Sequence, residues 1–216
     1  MRLFLASSEL GSYAGRLRRL AGSNRRVLIV RNARDYRSEE YIANILADKT
    51  VLFLQNGFDP QVLDLRQYFG KPGELEDYLD QYDPGVIYCL GGNPFLLNAA
   101  LHRSGMDNII RKALINDAVV YAGESAGTVV AARDLAPYQD DDKDTLEIAK
   151  EYYGFKSPLK ALGLIDTYPV PHINRDNFSE RTNQIRRKIA ELNSKPALVE
   201  DTDVIVVDGK KCEILR

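Results

Sequence analysis

Short apolar runs alternate with longer amphipathic segments along most of the 216-residue sequence. Several runs have the five or six residues typical of a buried strand: RLFLA (2–6), RRVLIV (25–30), GVIYCL (85–90) and AVVYA (118–122). The segments between them carry helix signals. Ser38 begins a long helical segment that stops at Asn56-Gly57, and Asn93 with Pro94 begins another. Strands separated by helices predict an α/β fold, with a mostly parallel sheet and helices on both faces.

The C-terminal segment breaks this alternation. In DVIVVDGKKCEIL, two apolar runs flank Asp208-Gly209, which predicts a β-hairpin. Part of the long helical segment, DKTVLFLQ, is also compatible with a strand, because short apolar runs are ambiguous. The sequence contains no repeat and no linker, so we predict a single domain over residues 1–216.

The composition argues against several classes of function. The formal net charge of −2 gives no reason to expect a nucleic-acid partner. No apolar run approaches the roughly 20 residues that a membrane span requires. The N-terminal MRLFLASSEL has too short an apolar part for a signal peptide, and two cysteines in apolar strand-like runs suit a reducing compartment, so we expect a cytoplasmic protein. We expect it to be a monomer or a homodimer. With two histidines and two separated cysteines, we expect no metal site and no cofactor.

The stretch YAGESAGTVV (121–130) places Ser125 between Gly123 and Gly127. A sharp strand-to-helix turn exposes a serine hydroxyl beside free backbone N–H groups, and glycines flank it because the turn crowds its neighbours. AVVYA provides the strand, GESAG the turn and TVVAA the helix. The pattern favours a nucleophilic serine, although a βα junction with a serine N-cap has the same form.

The choice of a general base is narrowed by the scarcity of histidine. His102 lies near the C-terminus of a predicted helix, where histidines often cap carbonyl groups. His172 follows an apolar stretch broken by Pro169 and Pro171, at a strand end that enters a loop. Catalytic residues are common in such loops, so we expect His172 to be the base.

Three motifs in chain order resemble those of the peptidase E-like serine peptidases: LGGNPF (90–95), GESAG (123–127) and VPHI (170–173). That family is related to the cytoplasmic aspartyl dipeptidase and to cyanophycinase. The resemblance covers almost the whole chain. It implies a class I glutamine-amidotransferase-like, flavodoxin-like fold in which serine replaces the usual cysteine. It also implies a small peptide as the substrate.

The resemblance implies a role for each matched residue of the reacting group. Ser125 is the nucleophile and His172 the base. The family's aspartate lies 15 residues after its serine, which corresponds to Asp140. Because positions 141 and 142 are also aspartates, an alignment shifted by one residue stays open. Glu200 in LVED is the second candidate to orient the imidazole.

The same match implies an oxyanion hole. The backbone N–H groups of Gly91, Gly92 and Ala126 are expected to face the oxyanion of a tetrahedral intermediate. Leu90 occupies the position of the first of the family's three glycines. Its side chain is expected to leave the substrate less room to approach this loop.

Substrate binding is expected to involve Arg181, Asn93 and Glu124. By its four-residue spacing to Ile185, Arg181 matches an arginine that binds the substrate's aspartate in the dipeptidase, while the neighbouring Arg175, Arg186 and Arg187 are alternative sources of positive charge. Glu124, beside the nucleophile, would repel an anionic substrate or raise the pKa of His172. On balance we expect small peptides with an acidic residue at the cleavage point.

Three other functions share parts of this pattern. An α/β-hydrolase esterase has the same elbow, but 15 residues to the acid and 47 to the histidine leave too little room for that fold's intervening elements. A glutamine amidotransferase needs a cysteine nucleophile, and Cys89 lies in a predicted strand. A non-catalytic binding protein on the same scaffold is supported by Glu124 and the shortened glycine loop. Labelling by a fluorophosphonate would distinguish it from an enzyme.

Overall fold

A sheet of seven strands forms the centre of the computed structural model, which describes residues 1–140 and 146–216. Within those ranges the strands are β1 (Arg2–Ala6), β2 (Arg26–Val30), β3 (Asp59–Leu63), β4 (Val86–Cys89), β5 (Val120–Glu124), β6 (Tyr168–Val170), β7 (Pro196–Leu198), β8 (Val204–Asp208) and β9 (Lys211–Leu215). The α-helices of the same ranges are α1 (Ala14–Ala21), α2 (Glu39–Gln55), α3 (Pro72–Tyr82), α4 (Pro94–Ser104), α5 (Met106–Ile115), α6 (Ala126–Val129), α7 (Ile148–Tyr153) and α8 (Ser179–Glu191). Short 3-10 turns cover residues 11–13, 32–34, 65–68, 136–138 and 176–178.

The order of strands in the main sheet is β3-β2-β4-β5-β1-β8-β9. The first five are parallel to one another, whereas β8 and β9 run antiparallel as a hairpin in which Asp208 pairs with Lys211. The predicted α/β fold with a C-terminal β-hairpin is therefore confirmed. Because β3 and β4 lie on opposite sides of β2, the sheet has a switch point at the carboxyl ends of β2 and β4. Open α/β sheets bind their ligands at such points.

Alternate side chains of each strand pack on opposite faces of the sheet. In β1, Leu3 and Leu5 belong to one apolar cluster, and Phe4 and Ala6 belong to another. Helices α4 and α5 contribute to the first cluster, and α1 and α2 contribute to the second. Helices thus cover both faces, as predicted, and within the described ranges none of them is long and apolar enough to cross a membrane.

Two predicted helix starts are confirmed in detail. The ambiguous segment DKTVLFLQ is helical as part of α2, whose first turn is capped by Ser38 Oγ accepting from the Tyr41 N–H at 3.3 Å. At α4 the side-chain oxygen of Asn93 accepts from the N–H groups of Phe95 and Leu96, at 2.9 and 3.0 Å. The second cap lies at the switch point and fixes the loop that precedes it.

Two features of the C-terminal half differ from the sequence-based expectation. The helix after the elbow has only four residues, because the carbonyl groups of Val130, Ala131 and Ala132 accept from N–H groups of residues 162–165. Strands β6 and β7 form a separate two-stranded parallel sheet. Strands of three residues are too short for a periodic pattern to reveal.

Candidate active site

Ser125 lies at the sharp turn between β5 and α6. Its backbone φ of 48° and ψ of −104° are unusual for a residue that carries a side chain. The neighbouring strand β1 holds the turn, because the Ser125 N–H donates to the Ala6 carbonyl at 3.1 Å. A strained turn at the carboxyl edge of a sheet is the setting that a nucleophile elbow requires.

Close backbone contacts explain the glycines of the elbow. A Cβ atom on Gly123 would lie 2.4 Å from the carbonyl carbon of Gly127. A Cβ atom on Gly127 would lie 2.2 Å from the carbonyl oxygen of Cys89 on the adjacent strand β4. Both positions require glycine, so the G-x-S-x-G pattern follows from the packing of α6 against the sheet.

His172 is hydrogen bonded to the elbow serine. Its Nε2 lies 2.9 Å from Ser125 Oγ, and the residue is 7% exposed. It follows β6 with a φ of 63°, and its N–H donates to Ser7 Oγ at 2.9 Å. Phe178 packs against the imidazole, with ring centroids 5.1 Å apart. A backbone anchor and an aromatic neighbour therefore hold the ring in place.

The other imidazole nitrogen is hydrogen bonded to Asp201. His172 Nδ1 and Asp201 Oδ1 are 2.6 Å apart. Parallel pairing of β6 with β7 brings the two residues together, because His172 follows the first strand and Asp201 follows the second. Asp201 Oδ2 accepts from Arg175 Nε at 2.5 Å, and the Asp201 N–H donates to Asn174 Oδ1 at 3.0 Å. Serine, histidine and aspartate thus form one hydrogen-bonded chain.

The acidic partner of His172 is therefore neither of the two predicted residues. Asp140 lines the cleft around the serine, but Asp201 occupies the hydrogen-bonding position at Nδ1. The side chain of Glu200 is exposed, and its backbone N–H donates to Asp203 Oδ2 at 2.9 Å. The aspartates at positions 141 and 142 lie outside the described residues. The prediction from LVED was wrong by one residue.

The surroundings of His172 favour a neutral imidazole. Burial lowers the pKa of His172 below its ordinary value of 6.5, and the positive charges of Arg175 and Arg181 act in the same direction, against the hydrogen bond with Asp201. Burial works against ionisation of Asp201, but hydrogen bonds from Arg175 and His172 hold its pKa below the usual value. Because a carboxylate only accepts, the hydrogen-bond network assigns the proton to Nδ1, and Nε2 accepts from Ser125 Oγ.

Two backbone N–H groups beside Ser125 remain open. In the described part of the chain, neither the Gly92 N–H nor the Ala126 N–H donates to another residue. Both residues line the same cleft as the serine. Gly92 has a φ of 148°, and a Cβ atom there would lie 2.2 Å from the Ala33 carbonyl oxygen, so this position also requires glycine. These two groups match the predicted oxyanion donors.

Glu124 is buried, with both of its carboxylate oxygens bound to protein donors. It is 3% exposed, and its Oε2 accepts from Lys49 Nζ at 2.5 Å and from the Tyr88 hydroxyl at 2.6 Å. Its Oε1 accepts from the Gly91 N–H at 3.1 Å. Two predictions are corrected by these contacts. Glu124 lines the cleft, but its carboxylate is bound to protein donors rather than open to substrate, and the N–H of Gly91 donates to that carboxylate rather than to an oxyanion.

The serine and the histidine lie in a cleft of about 1220 Å³. Arg181 and Asn93, both predicted to bind substrate, are among its lining residues. The positive charge of Arg181 is one of the causes that lower the pKa of His172. Asn93 Oδ1 caps α4, so its role at the cleft edge is at least partly structural.

The second histidine is placed elsewhere. His102 Nε2 lies 3.0 Å from the Lys160 carbonyl oxygen, and its Nδ1 lies 3.2 Å from Asp107 Oδ2. Of the two histidines, His172 alone is within hydrogen-bonding distance of the elbow serine. Among the residues that the structure describes, histidine, cysteine and acidic side chains form no group that could hold a metal ion.

Comparison with known proteins decides the family. The model of peptidase family S51 matches residues 3–215, which is almost the whole chain. The chain belongs to peptidase family S51. This membership confirms the resemblance to peptidase E-like proteins that the three motifs indicated.

Two curated relatives share about a third of the matched residues with this S51 chain. An uncharacterized peptidase of Listeria monocytogenes is 31% identical over 141 residues, which are 64% of this chain and 63% of the relative. An uncharacterized peptidase of Pasteurella multocida is 33% identical over 135 residues, which are 62% of this chain and 59% of the relative. The matches therefore span about three fifths of the length of these relatives.

Solved structures support the S51 fold over a longer range. A protein from Listeria monocytogenes EGD-e that is provisionally assigned as a peptidase E has a TM-score of 0.75 at 25% identity, covering 100% of this chain and 98% of that chain. A peptidase from an acI-B1 actinobacterium has a TM-score of 0.73 at 16% identity, covering 99% and 86% of the two chains, and shares the fold. The S51 chain thus shares its fold with both of these structures over almost its whole length.

Proposed function

We propose that the chain is a serine-type peptidase that hydrolyses small peptides through an acyl-enzyme. The proposal rests on the hydrogen-bonded chain from Ser125 through His172 to Asp201, with distances of 2.9 and 2.6 Å. These residues lie at a strained elbow, in a cleft, beside two backbone N–H groups that donate to no acceptor among the residues the structure describes. Membership of a peptidase family supports the same conclusion.

In the proposed reaction, Ser125 Oγ attacks the peptide carbonyl carbon while His172 Nε2 takes its proton. Asp201 keeps the imidazole in the required tautomer and stabilises the imidazolium that forms. The N–H groups of Gly92 and Ala126 stabilise the oxyanion, a contribution of about 3–4 kcal/mol per donor in a comparable serine protease. The imidazolium then protonates the leaving amine, and a water molecule activated by the same imidazole hydrolyses the acyl-enzyme.

The order of the three residues along the chain argues against an α/β-hydrolase-type esterase. In that fold the acid follows the nucleophile and precedes the histidine. Here the order is Ser125, His172, Asp201. The acid also comes from the small β6–β7 sheet rather than from the sheet that holds the elbow.

A fluorophosphonate probe tests the proposed activity directly. We expect the probe to label Ser125 in the wild type, because the hydroxyl is activated by His172, and to leave Ser125→Ala unlabelled. A screen of dipeptides and isopeptides then identifies the bond that is cleaved. A wild-type protein that is neither labelled nor active on any of these substrates would instead be a binding protein on the same scaffold.

We infer further that the substrate carries an acidic residue before the scissile bond. Arg181 lines the cleft, and a guanidinium binds a carboxylate through two parallel hydrogen bonds. Glu124 would repel such a substrate if its carboxylate faced the cleft unpaired. That carboxylate is paired with Lys49 instead, so its charge does not oppose an anionic side chain.

Replacing Arg181 with alanine should remove the acidic preference. We expect kcat/KM for an Asp-Leu dipeptide to fall by about 10- to 100-fold, because a hydrogen bond to a charged group contributes about 1.5–3 kcal/mol. The value for Ala-Leu should change little. Arg187→Ala, at an exposed position of the same helix α8, is the matched control. An acidic preference that survives Arg181→Ala unchanged would place the specificity elsewhere.

The acid limb of the pH profile should follow His172. We expect kcat/KM to fall as the pH drops through the pKa of His172, which lies below 6.5, because a protonated imidazole cannot accept from serine. Arg175→Gln removes a nearby positive charge, so it should raise that pKa and move the limb to higher pH. Arg175→Lys keeps the charge and should stay closer to the wild type. If the acid limb of kcat/KM lay at the same pH in Arg175→Gln and Arg175→Lys, the assignment of this limb to His172 would be contradicted.

A further inference from the structure

A buried ion pair lies next to the elbow serine. Lys49 Nζ is 2.5 Å from Glu124 Oε2, and the two residues are 6% and 3% exposed. Lys49 comes from α2, and Glu124 is the last residue of β5, immediately before Ser125. The hydroxyl of the fully buried Tyr88 donates to the same oxygen. Because desolvation of both charges largely cancels their attraction, such a pair is weak evidence for stability, and its position indicates another role.

The second oxygen of Glu124 holds the glycine loop. Oε1 accepts from the Gly91 N–H at 3.1 Å. Gly91 is itself packed against the elbow, since a Cβ atom on it would lie 3.2 Å from Ser125 Cβ and 3.4 Å from Glu124 Cγ. The residue before the nucleophile therefore connects the two loops that line the reacting serine.

The far end of the glycine loop is fixed by a different contact. The Asn93 N–H donates to the Ala33 carbonyl at 2.7 Å, and Gly92 leaves no room for a Cβ atom beside the same carbonyl. Residues 91 and 92 are thus anchored by Glu124 on one side and by Ala33 on the other. The Gly92 N–H lies between these anchors and, within the described ranges, donates to no protein acceptor.

We propose that Glu124 and Lys49 are positioning residues that hold the glycine loop so that the Gly92 N–H faces the oxyanion. This inference rests on the proposed peptidase function. Glu124 supplies the acceptor for Gly91. Lys49 neutralises that acceptor, because an uncompensated carboxylate this close would disfavour a developing negative charge. Arg34 adds a second positive charge, with a guanidinium nitrogen 3.9 Å from Oε1.

Two double variants that both lack the ion pair test whether the Gly91 N–H needs an acceptor oxygen or whether the loop needs the charges. Glu124→Gln with Lys49→Met keeps an oxygen for the Gly91 N–H, whereas Glu124→Leu with Lys49→Met does not. We expect the first to keep kcat near the wild-type value and the second to lose about 10²- to 10³-fold, the effect of removing one oxyanion donor. KM should change little in either. Asp107→Asn, which removes a buried carboxylate paired with Arg111 outside the cleft, should leave kcat unchanged.

A second readout does not depend on catalysis. Hydrogen exchange of the Gly91 amide, followed by NMR, should be slow in the wild type and in the Gln variant. In the Leu variant it should be faster by about tenfold or more, because the acceptor is gone. Thermal unfolding checks that both double variants are folded.

The two readouts give outcomes that can be told apart. The proposal is wrong if the two double variants exchange the Gly91 amide at the same rate, or if both lose kcat equally. If the wild type is neither labelled by the fluorophosphonate nor active on any peptide, the peptidase function fails. The Gly91 exchange rates then still support or overturn the role of Glu124 in holding the loop.

Discussion

Replacing Ser125 with alanine should reduce kcat by about 10⁵- to 10⁶-fold, and replacing His172 with asparagine should do the same. Asparagine is the better choice at 172 because it tolerates the positive φ of 63° that alanine would strain. The double variant should be little worse than either single variant. Attack needs the hydroxyl and the imidazole together, as their 2.9 Å hydrogen bond indicates, so removing one already removes the function of the other.

The other histidine provides the control for this prediction. His102 contacts the Lys160 carbonyl and Asp107, not the serine, so His102→Gln should leave kcat close to that of the wild type. Circular dichroism and thermal unfolding show whether each variant is folded. If a folded His102→Gln lost as much activity as the His172 variant, our choice of the base would be wrong.

Replacing Asp201 with asparagine should reduce kcat by about 10⁴-fold, with a much smaller change in KM. Arg175 Nε donates to Asp201 Oδ2. In the variant, the same Nε–H should donate to the amide oxygen of the new asparagine. The amide N–H₂ then faces His172 Nδ1 and donates to it. This arrangement moves the imidazole proton to Nε2, where it faces Ser125 and prevents the imidazole from acting as a base.

The acidic residues that the sequence pointed to are the matched controls for Asp201. Asp140→Asn and Glu200→Gln should each cost far less activity than Asp201→Asn, because neither carboxylate occupies the position at Nδ1. The three variants are compared by kcat on the same dipeptide. A loss in Asp140→Asn that equals or exceeds that of Asp201→Asn would return the orienting role to Asp140.

Much of the fold could be predicted because each strand and helix carries its own local signal. Ser38 and Asn93 marked two helix starts, and both cap as expected. The elbow could be recognised because crowding at Gly123 and Gly127 leaves a visible spacing in the sequence. These features depend on residues that are close together along the chain.

The partner of His172 could not be predicted in the same way. Asp201 lies 29 residues further along, and it reaches the imidazole only because β6 and β7 pair. Each of these strands has three residues, which is too short for alternation to show. Counting from the serine therefore selected Asp140. The useful signal was that two short apolar runs, YPV and PAL, both lead into polar loops.

Lys49 was missed for a similar reason. It lies 75 residues from Glu124, in the segment ADKTVLF, and nothing in that segment indicates a partner. When the lysine is not recognised, Glu124 is interpreted as an unpaired negative charge beside the nucleophile, so the sequence suggested that it contacts the substrate. The structure changes this interpretation, because Lys49 of α2 pairs with the Glu124 carboxylate. Helix α2 packs on the face of the sheet opposite α4.

The three residues of the hydrogen-bonded chain come from two separate sheets. Ser125 follows β5 of the main sheet, whereas His172 and Asp201 follow the two strands of the small sheet. Ser7, just beyond β1, joins the two sheets: its hydroxyl accepts from the His172 N–H at 2.9 Å and donates to the Val199 carbonyl at 3.3 Å. Proteins open locally at a lower free energy than they unfold globally, and a two-stranded sheet is the weaker of the two units. If the proposed hydrolysis depends on all three residues, we expect it to be lost in mild denaturant, when the small sheet separates from the main sheet but the main sheet is still folded.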